Sequence, residues 1–304
     1  MKAFPAVFSL PHRSKFLTQI LILAFVLNAP DKIVAQSRSA AQVRGNIATT
    51  SETELQRIES TMAGTESAGL ARLLRGYLRL QARDFATAAS LLADTNISRL
   101  TVLGDYAAYF HGQSMSGIGR SEDAEREFRR LAQSYPTSLL AREAALQAAG
   151  LAFNRGDYQT AIDSVELLAE KNDGAALKLR ADGLEKLGRA NEAVLTLRKL
   201  YFDSPQSPEA EKVGERLAAL GSSTAAGDVS MLRRRADKLY DARLYALAAA
   251  AYEQMARQFP NESGDETRLR AGISYYKADS FKQSADTLTK VRARTPKMAA
   301  DVLG

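Results

Sequence analysis

The residues able to do chemistry are few in kind. The chain holds two histidines, His12 and His111, and no cysteine. Without cysteine there is no disulfide, no thiolate zinc site, no sulfur nucleophile and no cysteine for lipid attachment. His12 falls in a stretch that reads as a removable leader, so a single imidazole remains and clustered histidine metal sites are excluded. His111 stands between Phe110 and Gly112 with no evident partner and is expected to be a packed structural residue. No glycine-rich phosphate loop, H-E-x-x-H or G-x-S-x-G occurs, so nucleotide, zinc-protease and hydrolase chemistries fail on sequence. No catalytic residue, cofactor or metal ligand is expected. Arg233-Arg234-Arg235 is the one local basic run, read as a solvated helix face. Four bases against one acid in residues 1–35 account for half of the formal +6, and the remaining charges are interspersed, which gives no nucleic-acid footprint.

The elements that must position these side chains are helices. Alanine, leucine, arginine and glutamate recur throughout, and β-branched runs bounded by turn residues are nearly absent. Self-comparison finds six presumed inter-helix turns at Arg83, Gly119, Gly156, Gly188, Arg243 and Asp279, spaced 36, 37, 32, 55 and 36 residues apart. Five residues after each turn stands a small residue: Ala88, Ala124, Ala161, Ala193, Ala248 and Ser284. Seven before each stand Gly76, Gly112, Ala149, Ala181, Ala236 and Gly272, again small, as close helix crossings require. Nine after stand Leu92, Phe128, Val165, Leu197, Tyr252 and Leu288, followed three residues on by an apolar partner from the second copy onward. Pro136, Pro205, Pro260 and Pro296 close second helices seventeen residues after four of the turns, and Asn172-Asp173-Gly174 substitutes in the third copy. The turn positions are expected to take the left-handed conformation, easily at glycine and at modest cost at Arg83, Arg243 and Asp279. Small, turn, small, apolar, proline at these offsets matches the tetratricopeptide pattern. The fold class is therefore all-α, a helix-turn-helix solenoid of about six repeats.

The ends and the long fourth spacing divide the chain. Lys2, Arg13 and Lys15 precede the apolar run Ile20–Leu27, the order of a secretory signal peptide with cleavage after Ala35 or Ala41. The run is shorter than the ~20 residues a membrane span needs, so no stable span is expected after leader removal. The expected domains are a signal peptide over 1–35, a disordered linker over 36–50, a repeat array over 51–220, a linker over 221–228, and a second array over 229–304 that ends mid-repeat. Ser51 with Glu54 forms a capping box that opens the first helix, and Ser207–Leu220 reads as one helix. The location is periplasmic or secreted. The incomplete final repeat is expected to be the front of a longer protein.

Three stretches carry a more specific resemblance: Asp105-Tyr-Ala-Ala-Tyr-Phe110, Ser134-Tyr-Pro-Thr-Ser-Leu-Leu-Ala-Arg-Glu-Ala144 and Leu200-Tyr-Phe-Asp-Ser-Pro-Gln-Ser-Pro-Glu-Ala-Glu211. Over about residues 69–304 the chain resembles the superhelical N-terminal domain of soluble lytic murein transglycosylases. That family cleaves peptidoglycan with a glutamate followed by serine, ahead of a Gly-Leu-Met-Gln and an Ala-Tyr-Asn-Ala-Gly segment. Neither segment is present. The Glu-Ser pairs at Glu59, Glu66 and Glu262 read as surface helix or turn residues, and no catalytic residue carries over.

The resemblance implies a scaffold that binds peptidoglycan or a protein or peptide partner and leaves the chemistry to a domain not present. The alternative is a free-standing periplasmic adaptor in outer-membrane assembly or envelope maintenance. In either case the concave face of first helices is the expected binding surface. Aligning the copies places Tyr106, Tyr109, Gln113, Asn154, Asp182, Tyr240 and Tyr276 on it. Tyrosine suits such a surface because it supplies rigid amphipathic area.

Overall fold

The computed structural model describes residues 51–292. The expectations for residues 1–50, for Pro296 and for the incomplete repeat over 297–304 lie outside the described residues. Regular structure among the described residues consists of fifteen α-helices and one 3-10 turn. The chain divides into two compact units, the first ending at Ala144 and the second beginning at Ala145.

The first unit contains α1 (Glu52–Thr61), α2 (Glu66–Gln81), α3 (Phe85–Leu92), α4 (Thr95–Leu100), α5 (Gly104–Gly117) and α6 (Ser121–Ser134). Helix pairs α2/α3 and α5/α6 are two repeats. The Ser51 hydroxyl accepts from the Glu54 amide at 3.2 Å and so opens α1. Only half of the expected capping box forms, because the Glu54 carboxylate turns to Arg57 at 2.8 and 2.7 Å. Leu55 and Ile58 of α1 are buried with Ala71 and Leu74 of α2. Ion pairs Glu52–Arg79, Glu59–Arg72 and Glu59–Arg75 border that contact.

The second unit takes in most of α7 (Ala141–Arg155), then α8 (Tyr158–Glu170), α9 (Gly174–Lys186), α10 (Ala190–Asp203), α11 (Val213–Ala219), α12 (Val229–Asp241), α13 (Tyr245–Gln258), α14 (Pro260–Lys277) and α15 (Phe281–Leu288). The repeats here are α7/α8, α9/α10, α12/α13 and α14/α15.

All six turns share one geometry. The residue at each has positive φ: 61° at Arg83, 80° at Gly119, 87° at Gly156, 72° at Gly188, 60° at Arg243 and 57° at Asp279. The next amide reaches back to the carbonyl five residues earlier, from Asp84 to Arg79 and likewise through Ser280 to Tyr275, at 2.9–3.0 Å. This is the Schellman closure, which satisfies carbonyls that the helix end would leave unmade. Asn172, at the end of α8, repeats it with φ 61° and a bond from the Asp173 amide to the Leu168 carbonyl at 3.0 Å.

The small and large columns interlock. Ala88, Ala124, Ala161, Ala193 and Ala248 have no exposed surface. A Cβ added to Gly76 would lie 2.5 Å from Leu92, one on Gly112 2.8 Å from Phe128, and one on Gly272 2.4 Å from Leu288. Thus the residue seven before a turn faces the residue nine after it. Ala181 and Leu197 belong to one buried cluster, and Ala236 and Tyr252 to another. Each such large side chain, when fully buried, contributes about 1.5–3 kcal/mol. Pro136 and Pro205 stand two residues beyond α6 and α10, as stop signals should, whereas Pro260 also opens α14, where its missing N–H is harmless.

Three details differ from the sequence expectation, at Ser207–Leu220, the Glu-Ser serines and Arg235, and a fourth, the kink in α14, is one the sequence does not announce. Ser207–Leu220 is not one helix: a 3-10 turn at Pro208–Ala210 precedes the short α11, and the Ser207 hydroxyl binds Glu209 in place of a helical start. α14 is kinked at Gly264 (φ 46°). Two of the Glu-Ser serines are buried, and Ser263 donates to the Met255 and Phe259 carbonyls at 2.9 and 2.5 Å. Arg235 leaves the solvated face assigned to its run, with its guanidinium 3.6 Å from the Tyr201 ring centre and donating to the Tyr201 carbonyl. Burial lowers its pKa.

Residues 221–228 carry no helix. Their backbone is nonetheless held. Arg198 donates to the Ser223 and Ala225 carbonyls at 2.7 and 2.8 Å, and Gln258 donates to the Ala226 carbonyl at 2.9 Å. Ala226 is buried beside Phe202, Leu232 and Met255.

Candidate functional site

The first unit contains a cleft of about 170 Å3 between the α3–α4 corner and the α5/α6 repeat. Its chemistry comes from His111, Glu127, Arg130, Tyr135 and Asp94. The interlocked columns put it there. Gly112 on α5 meets Phe128 on α6, and in this repeat the preceding residues of the two helices, His111 and Glu127, also come together.

His111 Nδ1 lies 3.5 Å from Glu127 Oε1. Arg130 approaches the same carboxylate, its Nη2 at 2.6 Å and Nε at 3.1 Å. Burial alone would raise the Glu127 pKa, but the hydrogen bonds from His111 and Arg130 outweigh it and hold it at about 2. Glu127 is therefore ionised at neutral pH and cannot serve as a general acid. His111 Nε2 is buried without a hydrogen-bond partner. The histidine–carboxylate arrangement orients an imidazole, as a base in a triad is oriented, but the hydroxyl of Ser98, the cleft's serine, is turned to the Thr95 carbonyl at 2.9 Å. Asp94 is engaged twice, capping α4 through the Asn96 amide at 2.8 Å and pairing with Arg72 at 3.0 Å. His111, Glu127 and Arg130 bind one another, and the contact between His111 and Glu127 braces α5 against α6.

The seven residues aligned from the repeats differ in exposure and in partners within each unit. In the first unit, Tyr109 is buried, its ring 5.5 Å from Phe128 and 6.1 Å from Phe110. Burial raises its pKa, and its hydroxyl meets the Gln113 side chain. Tyr109 and Gln113 thus come together, as packing. Tyr106 is half-buried against the Leu70–Ala107 core, its ring 6.3 Å from Phe110. In the second unit, Asn154 is exposed near the end of α7. Asp182 is paired with Lys178 at 2.7 Å and with Arg216 at 2.5 Å. Tyr240 meets Tyr245 edge to face with ring centres 5.4 Å apart, and the Lys277 ammonium lies 5.0 Å from the Tyr240 ring centre. Tyr276 is 58% exposed, and so is its ring neighbour Phe281.

The alignment missed Glu127, Arg130 and Tyr135, which belong to the second helix and the loop after it. The columns mark which helices pair but not which polar neighbours meet, since Arg75, beside the interlocked Gly76, pairs with Glu59 instead. Among the described residues no helix is long and apolar enough to cross a membrane, and no group of three His, Asp or Glu side chains could hold a metal.

No family model matches the chain, and no curated protein matches it. Among solved structures it is similar to a tetratricopeptide repeat protein from Parabacteroides merdae, with 13% identity, a TM-score of 0.41, and coverage of 88% of this chain and 95% of that one. It is also similar to the tetratricopeptide domain of P58(IPK), with 16% identity, a TM-score of 0.31, and coverage of 88% and 85%.

Proposed function

We propose that this chain is a non-catalytic helical-repeat scaffold of the bacterial envelope that binds a protein partner and brings it, or peptidoglycan, to an enzyme domain. The observation that carries the binding reading is the division of labour within the repeats. Six helix pairs share one turn and one buried contact, while the residue three before the turn changes from copy to copy, from the buried Leu80 to Ser116, Phe153, Glu185, Tyr240 and the exposed Tyr276. A chain that repeats its interior and varies its exterior holds a fixed frame beneath a varied surface.

Two sequence features support the finer reading. The basic segment followed by Ile20–Leu27 supports export, and the Ser-Pro-Glu-Ala junction after Leu200-Tyr-Phe-Asp supports kinship with the front domain of soluble lytic transglycosylases.

The test is a pull-down of the purified protein with insoluble peptidoglycan sacculi, run beside a dye-release assay of sacculus cleavage. Binding without cleavage is the expected result. Cleavage would overturn the non-catalytic reading. Absence of both, with a soluble envelope protein captured by cross-linking instead, would leave the free-standing adaptor in its place.

A further inference from the structure

Two departures from the repeat pattern meet at the cleft of the first unit. The first is in the backbone. α3 runs eight residues, against 13 or 14 in the second helices α6, α8, α10 and α13. It stops where Asp94 caps a new helix through the Asn96 amide at 2.8 Å, so the chain turns into α4 instead of completing the packed pair. The cleft of about 170 Å3 lies at that corner. The second departure is in the side chains. His111 and Glu127 stand eight residues before and eight after their turn. In no other described copy is that pair titratable on both sides, since its second member is Leu91, Ser164, Thr196, Ala251 or Thr287. The interlocked small and large columns require neither departure, because Gly76 with Leu92 and Gly112 with Phe128 are kept on both sides of the cleft.

The lining divides by what it can offer a ligand. Leu92, Ala107 and Ala108 supply its apolar part. Both carboxylates already have a counter-charge, Asp94 from Arg72 at 3.0 Å and Glu127 from Arg130 at 2.6 Å. A carboxylate has about four acceptor sites, so each can take further hydrogen bonds without demanding another cation. Arg130 uses Nε and Nη2 on Glu127, which leaves Nη1 outside that fork, and its side chain is 59% exposed. Tyr135 adds a hydroxyl that both donates and accepts. That hydroxyl lies 2.7 Å from where a Cβ on Gly104 would be, so glycine at the start of α5 makes room for it. An anion entering the cleft would be repelled by two carboxylates, and a cation would find both of them already paired. A neutral ligand rich in hydroxyls instead meets donors and acceptors side by side over apolar carbon. A pyranose ring has that make-up, with C–H faces and a rim of hydroxyls. The volume, the share of about five or six waters, suits a single ring.

We propose that this cleft binds one neutral pyranose ring of a glycan, with Arg130 and Tyr135 donating to its oxygens and Asp94 and Glu127 accepting from its hydroxyls. His111 contacts Glu127 from the α5 side at 3.5 Å, so its ring reports on the site. The proposal rests on the peptidoglycan arm of the reading above and names where on this chain a sugar is held.

The probe is N-acetylglucosamine, titrated into the full-length protein carrying isotope-labelled histidine and followed by NMR at the His111 Cε1–H signal, which His111→Gln identifies by its loss. A saturable shift with a millimolar dissociation constant is expected for a ligand of this size. Arg130→Ala should weaken binding about tenfold and Tyr135→Phe about three- to fivefold, at an unchanged helical circular dichroism spectrum. Methylammonium chloride and sodium phosphate are the charged controls. A saturable shift with either salt but not with the sugar overturns the proposal. So does the absence of saturation up to the solubility of the sugar, or equal affinity in the Arg130→Ala/Tyr135→Phe protein. The sacculus pull-down separates this site from the scaffold reading. Sacculi held equally by wild type and the double variant, with no sugar shift, refute the cleft and leave the scaffold standing. A sugar shift beside a failed pull-down keeps the cleft and removes peptidoglycan as the cargo.

Discussion

Replacing Gly76 by alanine isolates the close contact on which each repeat is built. In α2 the new Cβ would lie 2.5 Å from Leu92 Cγ and 2.7 Å from Cδ2. Leu92 is buried, and Cγ is the branch point of the side chain, so relief needs a poorer rotamer or a wider α2–α3 separation. Overpacking of this kind costs about 1–3 kcal/mol, whereas alanine gains back up to about 1 kcal/mol of helix propensity. The expected net loss is about 1 kcal/mol. Gly150 in α7 is the internal control, since a Cβ there meets nothing within 4 Å. Gly150→Ala should therefore stabilise by up to about 1 kcal/mol, opposite in sign to the same substitution at Gly76. The assay is urea unfolding followed at 222 nm. Because repeat arrays unfold in parts, it is joined to amide exchange in α2 and α3. The third repeat pairs Ala149 with Val165, so Gly76→Ala/Leu92→Val imports a combination that this chain already uses and should recover stability over Gly76→Ala alone. A Gly76→Ala midpoint at or above wild type, with unchanged exchange in α2 and α3, would refute the contact as the source of the glycine.

Glu127 has a folded pKa of about 2 against an ordinary 4.5, so its contribution is fully present above about pH 4.5 and is lost as pH falls toward about 2. That contribution is at most about 3 kcal/mol, and Glu127→Gln should lower the melting temperature at neutral pH and flatten its acid limb; an unchanged profile would sink the assignment. Arg243 adopts φ 60° without the freedom of glycine, so Arg243→Gly should stabilise by about 0.5–1 kcal/mol, and a fall in melting temperature would count against strain at that turn. Arg198 donates to two carbonyls of the 221–228 segment, and Arg198→Ala should speed protease nicking there with little change in helicity; equal nicking rates would show that Gln258 and the buried Ala226 suffice.

The repeats were legible because their signals are local and recur. A left-handed residue at the end of a first helix, a small residue seven before it and a small residue five after it are each weak, but six copies in register identify Arg83, Arg243 and Asp279 as turn residues despite their side chains. What escaped the sequence depends on contacts across longer separations. Ser207–Leu220 has helical composition, yet Ser207 lies against Gly174, where even a Cβ would be 1.9 Å from its hydroxyl, and the chain turns instead of starting a helix. Arg235 has the sequence context of a solvated run, and only the approach of Tyr201 from α10 makes it a stacked residue. Tyr109 was placed outward by helical register, but a ring of that size beside a glycine column is drawn inward onto Phe128. The cleft shows the same limit, because His111 is readable as a lone imidazole and Glu127 as an ordinary helix carboxylate until α5 and α6 are paired.

The junction between one turn and the next helix makes the order of the repeats part of their stability. Gly117 fits over Phe85 because it has no side chain, and Lys277 fits over Tyr240 and Tyr245 because it has a long charged one. Exchanging the two would drive a lysine into the Phe85 ring in one unit and uncover two tyrosines in the other. Copies that agree at every internal column are thus not interchangeable modules. A library made by shuffling them, or an array lengthened by duplicating one, would fail at the new seams while every helix in it remained sound.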